Sequence, residues 1–155
     1  MAIQLSEKKL KLIEELGMYF EKSGTQPAAS RIFALLMVSD NDELTFEEVC
    51  ESLNMSKSAV SNALNLLIDT NRVEYFTRPG ERKRYFRCKA KSLSEGIGRF
   101  QDNLGVFNQL LKQVLELSLE EKKELDKGLV EVTDFIDYMI MELSASFKKW
   151  ENLKK

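Results

Sequence analysis

Two groups of polar side chains stand out in this 155-residue chain. The first is Ser56, Lys57, Ser58, Ser61, Asn62 and Asn65, spaced so that a helix would gather them near its N-terminal end. The second is Arg78, Arg82, Lys83 and Arg84, close together in a short segment. Short hydroxyl and amide side chains match the donors and acceptors of base edges, and guanidinium and ammonium groups neutralise phosphates. The chemistry on offer is recognition of a polyanion rather than the making or breaking of bonds. There is no histidine, which removes histidine-based triads and the usual zinc sites. There is no glycine-rich phosphate loop of the Walker or dinucleotide type. Carboxylate pairs such as Glu47-Glu48 and Glu120-Glu121 fall at expected helix starts, where they favour the macrodipole. No catalytic residue, metal site or cofactor is expected, and the chain does not read as an enzyme.

The elements that must position these residues are legible. Thr45 and Glu48 have the spacing of a capping box, which predicts a helix from Phe46. Asn54 can take the left-handed turn that ends it. Ser56 then caps a second helix running to about Thr70, whose inward side is Val60, Leu64, Leu67 and Ile68. Residues 73–77 and the stretch around Tyr85 and Phe86 are rich in β-branched and aromatic types, which favours strands. Between them, Arg78-Pro79-Gly80-Glu81 suits a type II turn. The expectation is a helix-turn-helix followed by a β-hairpin wing, with the cations on its tip and return strand. A cationic hairpin by itself is more simply a solubilising surface; joined to a polar-faced helix, it points to DNA.

From residue 18 to residue 87 the chain resembles the MarR-type regulators, and more closely their GbsR-like branch. The resemblance is carried by MYFE at 18–21 with Gly24, RIFALL at 31–36 with Ser39-Asp40, MSKSAVS at 55–61 and PGERKRYF at 79–86. It implies a dimeric winged-helix transcription regulator, usually a repressor, that binds a palindromic operator. The second helix of the motif would enter the major groove and the wing would meet the minor groove or backbone. Asn71-Arg72 stands where such proteins usually have Gly-Leu, a change expected to alter the turn rather than the fold. The resemblance also brings in a small effector of the quaternary ammonium class. Tyr19, Phe20, Phe100 and Phe107 are the aromatics that would meet it by cation–π attraction. The plainer reading is that these rings fill the core and the dimer seam.

Composition fits one small domain with a real core. Within it, residues 27–91 form the expected winged helix-turn-helix unit, and residues 1–26 and 92–155 the helical dimerisation region. No apolar run approaches the roughly 20 residues that cross a bilayer. The first residues lack the basic-then-apolar order of a signal peptide, so a cytoplasmic location is expected. Cys50 and Cys88 are far apart in sequence and in no metal spacing; Cys50 is expected in the core and Cys88 partly exposed beyond the wing. The net charge is −2, but it is uneven. Residues 56–91 hold nine basic and three acidic side chains, a local +6 against −8 elsewhere. Such asymmetry marks a polyanion-binding face.

The flanks read as helices. Ser6 caps a helix through Leu10, Ile13, Leu16 and Phe20, and Pro27 opens another that runs to about Ser39. After the wing, Leu93, Ile97, Phe100, Leu104, Phe107, Leu111 and Val114 alternate four and three apart, the spacing of a coiled-coil seam. Ser118 and Glu121 repeat the capping-box spacing and predict a last helix from Leu119 to near Leu153. Its apolar arc is wide enough to pack on two sides. Leu10, Ile13, Leu129, Ile136, Ile140, Leu143, Phe147 and Trp150 are therefore expected at a homodimer interface; a monomer with a long helical hairpin is the alternative. A winged helix that docks another protein instead of DNA is the alternative function. That reading calls for a mixed or apolar wing and no polar cluster on the second helix.

Overall fold

The computed structural model describes residues 3–118 and 124–153. Its chain order is α1 (Glu7–Lys22), α2 (Pro27–Val38), β1 (Leu44–Thr45), α3 (Phe46–Leu53), α4 (Lys57–Asp69), β2 (Val73–Thr77), β3 (Arg84–Cys88), α5 (Ala90–Glu116) and α6 (Glu124–Leu153). The fold is mostly helical with one small antiparallel sheet, as the sequence indicates. The chain divides into two compact units, Met1–Leu93 and Ser94–Lys155. The expected single domain grouped α1 with the C-terminal helices; in the structure α1 belongs to the first unit and packs on α2.

Local chemistry sets each boundary in the first unit. Ser6 caps α1 by accepting the Lys9 N–H at 3.4 Å. Pro27 occupies the first turn of α2, where its missing N–H costs nothing. Thr45 and Glu48 form the full capping box: the Thr45 hydroxyl accepts the Glu48 N–H at 3.3 Å, and the Glu48 carboxylate accepts the Thr45 N–H at 2.7 Å. Asn54 ends α3 in the left-handed conformation, at φ 49° and ψ 45°. Asn71 does the same after α4, at φ 60°. It thus takes the conformation a glycine would supply, and the neighbouring Arg72 is drawn inward. The Arg72 guanidinium donates to Thr25 Oγ1 at 2.8 Å and lies 5.9 Å from the centre of the Phe33 ring.

The core gathers around α2, whose Ala29, Ile32, Phe33, Ala34, Leu35 and Leu36 are all buried. Val49 of α3, Val60, Ala63, Leu64 and Leu67 of α4, and Val73 and Phe86 of the sheet close it. Ile13 of α1 is part of this core at 1% exposure. It therefore has no surface for a partner and leaves the expected interface set, because α1 turns this face onto α2. Where α1 and α2 cross, a Cβ on Gly17 would lie 3.0 Å from Arg31 Cγ. The Arg31 guanidinium there donates to Glu14 at 3.1 Å and also to Glu21.

The sheet holds a strand that the residue pattern did not reveal. Its order is β1-β3-β2, with Leu44 opposite Phe86 and Thr45 opposite Tyr85. Two residues are too few to show an alternating pattern. Cys88 is partly exposed as expected, but it ends β3 instead of following the wing, and its thiol lies 3.8 Å from the Phe33 carbonyl oxygen. Cys50, expected in the core, packs against it but is only half-buried.

In the second unit α5 and α6 run antiparallel. Gln101 donates to Ser144 at 2.7 Å, Asn108 to Asp137 at 2.8 Å and to the Thr133 carbonyl at 3.3 Å, and Lys112 to Asp137 at 2.6 Å. The side of α5 that meets α6 is thus Gln101, Gly105, Asn108 and Lys112, not the apolar seam. Leu104 and Leu111 of that seam are half-buried, while Leu93, Ile97, Phe100, Phe107 and Val114 each remain more than half exposed. The seam is displaced because α6 offers Thr133, Asp137 and Ser144 opposite. The expected start of α6 at Leu119, with Glu121 as its capping partner, lies outside the described residues. Ser118 donates to Asp126 at 2.7 Å. Among the described residues, no helix is long and apolar enough to cross a membrane.

Burial raises the Cys88 thiol pKa from 9.0 to about 12. The unfolded chain then ionises this thiol at lower pH than the native one, so its contribution to stability is full below pH 9 and is lost as pH rises toward 12. Unfolding free energy should fall by up to about 1.4 kcal/mol per pH unit across that window on account of this group. Denaturant titrations of Cys88→Ala should show a shallower decline than the parent chain; equal slopes would mean that the thiol is not desolvated.

Candidate nucleic-acid interface

Helix α4 buries Val60, Ala63, Leu64 and Leu67, which turns Lys57, Ser58, Ser61, Asn62 and Asn65 outward, all exposed. Ser56 is also exposed, but its hydroxyl is committed locally. It accepts the Ala59 N–H at 3.3 Å as the helix cap and lies 3.2 Å from the Ser58 hydroxyl. Its main work is to start the helix that carries the others. The α4 N-terminus also presents its free N–H groups and the positive end of its dipole on this side, a favourable place for a phosphate.

The wing joins Thr77 to Arg84 through residues 78–83. Its turn follows the expected chemistry: the Glu81 N–H donates to the Arg78 carbonyl at 3.1 Å, and Gly80 supplies φ +82°. Val73, Tyr75, Phe86 and Cys88 share one side of the two-stranded ribbon, and Phe86 and Val73 reach the core. The other side carries a continuous polar and aromatic ladder. Arg87 donates to Glu74 at 2.6 Å and lies 5.1 Å from the Phe76 ring centre. Phe76 stacks on Tyr85 with centres 5.8 Å apart and planes 20° from parallel. Arg78 lies 4.3 Å from the Tyr85 ring centre and pairs with Glu43. The Tyr85 hydroxyl donates to Glu81, which pushes the phenol above its ordinary pKa.

The structure therefore sorts eight of the nine cations of the basic segment, the ninth being Lys91. Arg72, Arg87 and Lys89 are held by Thr25, Glu74 and Asn71. Arg78 is held by Glu43 and Tyr85. Among the described residues, Lys57, Arg82, Lys83 and Arg84 form no ion pair, and all four are exposed. Arg84 rests 5.7 Å from the Tyr75 ring centre. The residue pattern places Phe76 and Tyr85 only in the strands, through their aromatic content, and gives no sign of a role for Glu43. Beside the wing is an open groove of about 720 Å³. It is lined by Asp40, Asp42, Glu43, Glu47 and Glu48 against Arg78 and Lys83, so its local charge is unfavourable to phosphate.

The aromatics expected at an effector site are not assembled into a cage within either unit. Phe20 packs on Phe33 with ring centres 5.1 Å apart and belongs to the core, so it is withdrawn from that set. Tyr19 touches Phe20 edge-on at 5.8 Å and is 65% exposed. Phe100 and Phe107 stand exposed on α5. Of the residues expected between subunits, Ile136 is buried, Leu129, Ile140, Leu143 and Phe147 are half-buried, and Leu10 and Trp150 are exposed. Among the described residues, no group of His, Cys, Asp or Glu is arranged to hold a metal.

Comparison with known proteins agrees with this architecture. Residues 23–84 match the model of the MarR family. Over 130 residues the chain is 24% identical to the HTH-type transcriptional regulator MmpR5 of Mycobacterium tuberculosis, covering 84% of this chain and 79% of that protein. A crystal structure of a transcriptional regulator aligns with a TM-score of 0.68 at 22% identity, covering 94% of this chain and 99% of that one. The matched residues run from the end of α1 to the first residue of β3 and fold as a winged helix-turn-helix similar to that of the MarR family.

Proposed function

We propose that the chain is a sequence-specific, DNA-binding transcriptional regulator that works as a homodimer on a palindromic operator, with α4 in the major groove and the wing tip on the minor groove or backbone. The observation that carries this reading is the division of labour in the basic segment. Among the described residues, Lys57, Arg82, Lys83 and Arg84 are left without acidic partners beside a helix whose exposed side is Ser58, Ser61, Asn62 and Asn65. Cations without partners serve phosphate, and short amides and hydroxyls serve base edges. The name of the mycobacterial relative, a transcriptional regulator, supports the same function. Repression is the mode that the resemblance favours. Release by a small effector, including a quaternary ammonium compound as in the GbsR-like branch, belongs to the same proposal, with the exposed Tyr19, Phe100 and Phe107 as its aromatic contacts.

The homodimer is supported by the exposed apolar residues of α5 and α6. Phe100, Phe107, Leu110, Phe135, Met141 and Trp150 are each more than half exposed in a single chain. Fully burying one such side chain contributes about 1.5–3 kcal/mol, which favours a partner. Two-fold symmetry also suits two wings and two reading helices on a palindrome.

Affinity should fall steeply with salt, and each lost phosphate contact should lower the log–log slope by about one. The double variant Lys83→Ala, Arg84→Ala should therefore flatten the slope on duplex DNA obtained by selection from random sequence; an unchanged slope would remove the wing from the interface. In the same assay Asn62→Ala should relax sequence preference at a cost of roughly 1–3 kcal/mol on the selected site. Equal weakening on selected and random DNA would make Asn62 a backbone contact.

Removal of the chain after Met141 deletes Leu143, Phe147 and Trp150 and breaks the Gln101–Ser144 bond. The shortened chain should sediment as a monomer or aggregate, and should lose the gain of bivalent binding to a palindrome. A clean, stable dimer would show that these residues are internal packing and would move the interface elsewhere.

A further inference from the structure

We propose that Glu43 is a positioning residue for the wing, and that Arg78 serves this clamp instead of contacting phosphate. The inference rests on the DNA-binding reading and removes one residue from its expected contact set. Glu43 directly precedes β1, the short strand that pairs with β3. Arg78 directly follows β2, on the far side of β3. The Glu43–Arg78 pair therefore spans the whole sheet, crossing over Tyr85 of the middle strand, whose ring centre is 4.3 Å from the guanidinium carbon. The Glu43 side chain is only 20% exposed, so the pair is partly shielded from solvent. Tyr85 in turn stacks on Phe76 and donates to Glu81 in the turn.

The tie has a further consequence because of what lies on its Glu43 end. Two residues on, Thr45 is the cap of α3, and α3 packs on the reading helix α4. A load at the wing tip is thus passed through Arg78 and Glu43 to the start of the helix-turn-helix, in addition to the path through β2. This is what fixing the angle between wing and reading helix requires. The acidic groove beside the pair argues the same way. A phosphate seeking Arg78 would meet the carboxylates of Asp42, Glu43 and Glu47 around it. Arg82 and Arg84 lie outside that lining, and Lys83, which shares it, forms no ion pair among the described residues, so these three remain the cations for DNA.

The test measures binding of the full chain and its variants to the selected duplex over a range of salt concentrations, together with amide hydrogen exchange of residues 78–83. Arg78→Ala and Glu43→Gln should each weaken binding about five-fold, the scale of one partly exposed ion pair. Neither should change the salt slope, and the double variant should be no weaker than either single one. Both should speed exchange at the wing tip. A slope reduced by about two per dimer in Arg78→Ala would make Arg78 a phosphate contact and overturn the proposal. So would tighter binding by Glu43→Gln, which would make the carboxylate a competitor for Arg78, or additive losses in the double variant. If the parent chain bound no duplex, the DNA reading would fail separately, and unchanged exchange in both variants would still refute the clamp.

Discussion

The burial of α2 on several sides is the constraint on which the first unit depends. A helix of twelve residues with seven of them buried cannot rest against one neighbour. It needs apolar cover from several directions, and α1, α3, α4 and β3 supply it. That requirement fixes the side on which α4 must turn Val60, Leu64 and Leu67 inward, and so which of its residues face out. It also anchors the wing, since Phe86 and Val73 of the sheet close the same core. The exposed polar side of α4 and the reach of the wing are thus consequences of packing on α2.

Where a local signal is chemical and strong, the sequence was sufficient. Thr45 with Glu48, Ser56, Asn54 and Pro27 each placed a helix boundary, because capping and proline geometry act within a few residues. Arg78-Pro79-Gly80-Glu81 placed the wing turn for the same reason. What escaped was long-range or very short. Strand β1 has two residues, too few for any period, and it exists because β3 has a free edge beside it. Ile13 was placed on the wrong surface because an apolar stripe tells that a face is covered but not by what. The same holds for the seam of α5: its spacing is real, but α6 lies along the neighbouring row of Gln101, Asn108 and Lys112.

The basic segment shows how structure divides charges that a sequence can only count. Its local excess is +6, yet five of its nine cations are not equivalent to the remaining four. Arg72 and Lys89 are consumed by turns around α4 and β3, through Thr25 and Asn71. Arg87 and Arg78 are used to stiffen the wing ribbon through Glu74 and Glu43. Lys91 has an interaction of its own. Surface ion pairs contribute little stability each, typically under about 1 kcal/mol. Their use in the wing is geometric: together with the stacked Phe76 and Tyr85 they limit the ways in which a two-stranded ribbon can twist. A stiff ribbon loses less entropy when it binds a partner.

The second unit poses the opposite balance. Its two helices meet through hydrogen bonds of Gln101, Asn108 and Lys112, and Asn108 is buried with its side-chain oxygen left without a partner among the described residues. Each such bond contributes about 1 kcal/mol net, more where a charge takes part, and a buried oxygen without a donor costs a similar amount. Against that, leaving a large apolar side chain in water forgoes about 1.5–3 kcal/mol. α5 alone exposes Leu93, Ile97, Phe100, Phe107, Leu110 and Val114. The apolar term is therefore the larger, and it is unsatisfied in a single chain. Polar contacts of this kind fix the register of two helices better than they stabilise them, as a buried asparagine does in a coiled coil. On this argument the α5–α6 pair is held in one alignment by its polar row, while its stability as a helical unit waits on whatever covers the apolar one.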